Sequence, residues 1–116
     1  MPYFVYALVD PRTDVVFYIG ITNSINERLK QHINYKDSNT EKRAWIQRLK
    51  EKNLVPSMKV LDMVKNRMAA VECEEYWIYY YLGQGVQLTN RQLYLIKHIK
   101  READRTQEQE CRAVKQ

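Results

Sequence analysis

The chain has 116 residues, enough for one domain, and its 45% hydrophobic and 28% charged content is that of an ordinary globular protein. No apolar run approaches the roughly 20 residues that cross a bilayer, and the opening MPYFVYALVD has no basic segment ahead of its apolar stretch, which argues against a secretory signal. A formal net charge of +5, with nine tyrosines and two tryptophans, suits a polyanionic partner, nucleic acid first, and equally suits a solvated surface over an aromatic core.

Tyr3 to Val9 and Val15 to Ile19 are rich in β-branched and aromatic residues and are separated by DPRTD, so the spacing predicts a hairpin. A turn centred on Arg12 would set Tyr6 opposite Tyr18, on one face of the sheet. Gly20 and Thr22-Asn23 end the second strand. Ser24 and Glu27 have the spacing of a capping box, and Ile25, Leu29 and Ile33 form the apolar stripe of the helix that follows. Arg28 and His32, one turn apart, run along the edge of that stripe, beside the strand ends. Asn34 to Thr40 reads as a loop.

A second helix is expected over Glu41 to Lys52, with Trp45 and Leu49 facing inward and Asn53 to Pro56 ending it. Met58 to Val64 alternates as a third strand. Arg67 to Leu82 is the most strongly patterned helix, closed by Gly83 and Gly85. Asn90 to Lys100 reads as a fourth helix, and the polar remainder as an exposed helix or tail. The division expected is therefore a domain over residues 1–90 and a basic helical extension over 91–116.

On a helical wheel, Ala70, Val71, Trp77, Ile78, Tyr81 and Leu82 share one broad arc, which must be the core face. Glu74 falls near the middle of that arc, Glu75 at its margin, and Glu72 clear of it. A carboxylate among apolar neighbours is costly unless it is paired, hydrogen-bonded or bound to metal. A structural ion pair with Arg28 or a lysine answers that cost as well as a functional site does.

The residues so collected are similar to those of a known family. FVY (Phe4-Val5-Tyr6), eleven residues, then YIG (Tyr18-Ile19-Gly20) resembles the opening of the GIY-YIG nuclease domain. Arg28 follows Tyr18 by ten residues, the spacing of that family's arginine, and EEYWI followed by LTN resembles its glutamate helix and closing asparagine. Glu74 and Asn90 are the matching positions, and His32 matches a histidine that some members carry. Only the tyrosine of the first motif is retained, because FVY stands where the family has GIY.

The resemblance implies an α/β (α+β) fold, a small three-stranded antiparallel sheet flanked by helices. It also implies cleavage of DNA phosphodiester bonds with one divalent metal ion, Mg²⁺ or Mn²⁺. On this reading Tyr6, Tyr18, Arg28, His32 and Glu74 are catalytic, Glu74 holds the metal, and Gly20 and Asn90 support the site. Tyr18 would accept the proton of the attacking water, Tyr6 would be hydrogen-bonded nearby, and Arg28 would grip the scissile phosphate. His32 would orient the phosphate or share the proton.

Each residue also has an ordinary role. Tyr6 alone reads as a core residue, Arg28 as a solvated helix residue, and Asn90 as the closure of a backbone turn. Lys30, Lys36, Lys42, Lys50 and the cluster Lys97, Lys100 and Arg101 could track a DNA backbone, or simply be solvated. The extension could serve contact with a partner protein. The competing reading is a catalytically inactive module on the same fold that binds nucleic acid or protein. Cys73 and Cys111 offer neither a CxxC motif nor a zinc-type pairing, and a cytoplasmic location is expected.

Overall fold

The computed structural model describes residues 2–34 and 39–90. The elements run β1 (Tyr3–Asp10), β2 (Val15–Thr22), α1 (Ile25–Asn34), α2 (Thr40–Glu51), β3 (Ser57–Val64) and α3 (Arg67–Gly83). The strands form one antiparallel sheet in the order β2-β1-β3. The expected fold class and all six elements are present. The expected fourth helix, the tail, and Lys36 lie outside the described residues. Among the described residues no helix is long and apolar enough to cross a membrane.

β1 is the central strand and is covered on both faces, which is why Val5 to Asp10 are all buried. One face, through Val5, Ala7, Val9, Val16, Ile19 and Leu61, packs on Cys73, Trp77 and Ile78 of α3. The other, through Tyr6, Leu8 and Phe17, packs on Ile46 of α2 with Leu29 of α1 and Trp45 of α2 against it. Period-2 alternation thus sends Tyr6 to the side of α1 and α2.

The hairpin register differs from the expected one by two residues. Tyr6 pairs with Gly20 and Leu8 with Tyr18, whereas Val9 pairs with Val16. One residue of the difference comes from the turn, centred between Arg12 and Thr13 with Asp14 at a φ of 61°. The other comes from a β-bulge that leaves Phe17 unmatched. Two single shifts restore the parity of the faces, so Tyr6 and Tyr18 still share one, as diagonal rather than opposite neighbours. The bulge also turns Phe17 and Tyr18, consecutive in sequence, to the same side. Phe17 stacks on Trp45 with centroids 4.7 Å apart, while Tyr18 lies beside it.

The helix ends are built as their residues suggest, with one exception. Asn39 and Asn66 cap α2 and α3, accepting from the backbone N–H of Lys42 (3.1 Å) and Ala69 (2.9 Å). Asn53, at a φ of 61°, closes α2, and the N–H of Leu54 returns to the Leu49 carbonyl. At α1 the carbonyl of Ser24 accepts the first helical bond, from Arg28. The capping box is not formed, because Thr22 Oγ1, two residues back, takes the Ser24 N–H at 3.0 Å in place of Glu27.

Candidate active site

Tyr6 is the centre of the site. Its side chain is fully buried, and its hydroxyl lies 2.6 Å from His32 Nε2 and 3.3 Å from Arg28 Nε. Both partners come from α1, one turn apart, so the row read along the edge of that helix is the row that meets the strand. Arg28 Nη1 also donates to Gln31 Oε1 at 3.0 Å, which tethers the guanidinium at two points.

Burial pushes the Tyr6 phenol well above its ordinary range, and the charges of Tyr18 and Glu74 push it the same way. The hydrogen bond and charge of Arg28 oppose this without overcoming it. Tyr6 is therefore a neutral phenol. It accepts from Arg28 Nε and shares a second hydrogen bond with His32 Nε2, whose direction is set by the imidazole tautomer.

Tyr18 stands in the same cluster, its ring centroid 6.4 Å from that of Tyr6 and 5.5 Å from that of His32, edge to face. The approach of Tyr6 depends on Gly20. A Cβ at that position would lie 2.5 Å from the Tyr6 hydroxyl oxygen, 2.6 Å from Cζ and 3.0 Å from Tyr18 Cε2. Gly20 is needed for space, not for its backbone angles.

Glu74 lies one turn from buried Ala70 and one turn from buried Ile78, so it shares their row on α3, and it is half-buried there. Its charge acts on the Tyr6 hydroxyl, the weakest of the three effects that raise it. Among the described residues no group of three or more His, Cys, Asp or Glu side chains could hold a metal ion. The Glu74 carboxylate offers an oxygen ligand of the kind hard divalent ions take, such ions keeping most of their waters and sharing the rest of their shell with substrate phosphate.

Asn90 is buried on the outer edge of β2, where its Oδ1 accepts from the Ile19 N–H (3.0 Å) and its Nδ2 donates to the Ile19 carbonyl (2.7 Å). It therefore closes an extended strand edge and not a turn. The preceding Thr89 gives both its N–H and its hydroxyl to the Phe17 carbonyl, each at 2.8 Å, at the bulge. Asn39 Nδ2 donates in turn to the Thr89 carbonyl at 2.8 Å. The strand that carries Tyr18 is thus fastened through residues 89 and 90 to the start of α2.

Lys42 is corrected. It is not a surface cation for the DNA backbone but a buried residue, with Nζ 4.5 Å from the centroid of the Tyr18 ring. Its place follows from the cap at Asn39, three residues earlier, where a loop is expected from the sequence. Lys30 and Lys50 are exposed as expected. Lys97, Lys100 and Arg101 lie outside the described residues.

The sequence profile of the GIY-YIG catalytic domain matches residues 2–86. The chain belongs to the GIY-YIG family. That match spans every strand and helix described and includes Tyr6, Tyr18, Gly20, Arg28, His32 and Glu74, while Thr89 and Asn90 lie just beyond it. Neither the curated proteins nor the solved structures give a match. The GIY-YIG assignment makes this a nuclease-type domain, and the roles of its residues rest on the geometry above.

Proposed function

We propose that this GIY-YIG domain is a divalent-metal-dependent endonuclease that hydrolyses DNA phosphodiester bonds. The observation that carries the reading is the hydrogen-bonded convergence of Tyr6, Arg28 and His32 beside Tyr18, with the charge of Glu74 acting on the same hydroxyl.

The division of labour follows from the environments. Tyr6, held neutral by burial, cannot serve as a base at neutral pH. Its work is to fix the Arg28 guanidinium, which presents its remaining donors to the scissile phosphate. His32 holds Tyr6. Tyr18 accepts the proton of the attacking water, and the Lys42 ammonium lies over the ring where that negative charge would form. Glu74 would hold Mg²⁺ or Mn²⁺. Bound there, the ion would neutralise charge on a nonbridging oxygen and on the leaving 3′ oxygen. An ordinary phenol has a pKa of about 10, so the cleavage rate is expected to rise with pH above neutrality.

The test is incubation of supercoiled plasmid with the protein and Mg²⁺ or Mn²⁺, beside Glu74→Ala. Nicking by the wild type alone, abolished by chelation, supports the proposal. If both proteins leave the plasmid intact yet retard it equally on a gel, the domain is a binding module that has lost its chemistry.

A further inference from the structure

A groove of about 360 Å³, lined in part by Arg28, lies between the start of β1, the β2–α1 turn, the first turns of α1 and the start of α3. That volume lies in the range of about 300–1,000 Å³ usual for small-molecule sites. Its walls include Tyr3, Asn23, Glu27, Arg28, Gln31 and Arg67. Two guanidiniums therefore face one cleft, from helices that pack on opposite sides of the sheet.

Arg67 has no evident purpose in the fold. It is exposed, it opens α3, and it makes no ion pair or side-chain hydrogen bond among the described residues. The first turn of α3 carries no acid to balance it. A cation at that end of a helix costs about 0.3–1 kcal/mol. The mechanism above uses Arg28 and leaves Arg67 idle.

We propose that this groove receives the nucleotide flanking the scissile phosphate, with Arg67 binding the next phosphate along the cleaved strand. The proposal rests on the endonuclease reading and adds to it a specific path for the strand. The presence of Arg28 argues for it, since the residue proposed to grip the reacting phosphate also lines the groove. So does the charge pattern. Arg67 suits a phosphate, while Glu27, which only accepts hydrogen bonds, disfavours a second phosphate and suits the amino group of a base edge.

The experiment is equilibrium binding of a short fluorescent DNA duplex by the full chain without divalent metal, over a range of salt. Wild type, Arg67→Ala, Arg67→Lys and Asn23→Glu are compared, with circular dichroism as the control of folding. One lost phosphate contact lowers the slope of log affinity against log salt by about 0.9. Arg67→Ala is expected to show that loss and a several-fold weaker affinity, and Arg67→Lys to restore the slope. Asn23→Glu, which adds a negative charge to the groove without touching Arg67, is expected to weaken binding as well. Wild-type affinity and slope in folded Arg67→Ala and Asn23→Glu would overturn the groove while leaving plasmid cleavage untouched. Failure of the wild type to bind or cleave DNA would overturn the endonuclease reading and the groove together.

Discussion

The Tyr6 hydroxyl lies 2.6 Å from His32 Nε2, a hydrogen bond between residues 26 apart on a phenol that burial keeps protonated. Tyr6→Phe would leave His32 Nε2 and Arg28 Nε without this partner, at a cost of about 1–3 kcal/mol in stability. Because Tyr6 is neutral throughout the working range, its loss should slow cleavage without flattening the rise of rate with pH. Tyr18→Phe should cost more, about 10²–10⁴-fold, the usual contribution of a proton-transferring group. Single-turnover rates of both variants between pH 6 and about 9 check the assignment. A flat pH profile in Tyr6→Phe would reverse the two roles.

Gly20 and Tyr6 are cross-strand partners, and the space above Gly20 is filled by the Tyr6 phenol. Gly20→Ala must displace that ring or shift the strand, and overpacking of this kind costs about 1–3 kcal/mol. The expected outcome is a folded but less stable protein, read by thermal denaturation, with cleavage reduced as far as in Tyr6→Phe or further. Unchanged activity in Gly20→Ala would mean that the position of Tyr6 is not important to the chemistry.

Much of this was legible in the sequence because the signals were local. Strand composition and helical spacing mark the six elements, and the helical wheel singles out Glu74. What was not legible is what depends on pairing across long separations. A bulge at Phe17 is invisible to an alternation count, so the partner of Tyr6 was misplaced, although its face was not. Asn90 was recognisable as structural, but its partner, Ile19, is 71 residues away. Lys42 looked like any surface lysine, because charge alone does not reveal that a neighbouring cap turns it inward over Tyr18.

On the face covered by α3, Asp62 and Trp77 make an imperfect pair. Asp62 Oδ1 accepts from the Met63 N–H at 3.1 Å, but its Oδ2 and the Trp77 Nε1 are buried without a hydrogen-bond partner among the described residues. The indole approaches the carboxylate closely enough to favour its charge, and so does the Met63 N–H, yet burial prevails and raises the Asp62 carboxyl above its usual range. A raised carboxyl binds its proton more tightly in the folded state. Its contribution to stability is present below the unfolded pKa of about 3.9 and is lost as pH rises through the folded value. Asp62→Asn keeps the acceptor for Met63 and removes the charge. It is expected to raise the melting temperature at pH 7 by a few degrees, equivalent to about 1 kcal/mol, with the gain vanishing near pH 4. Equal melting temperatures at pH 7 would show that the carboxylate is adequately solvated.

The most direct test of the site is single-turnover cleavage of plasmid DNA by Arg28→Ala, measured beside its DNA affinity and its circular dichroism spectrum. The expected result is a native spectrum, affinity within a few-fold of wild type, and cleavage lowered by about 10²–10³-fold, the usual effect of removing a preorganised transition-state donor. Near-wild-type cleavage by a folded Arg28→Ala protein would contradict the account, because the phosphate would then be held by something other than the guanidinium bonded to Tyr6.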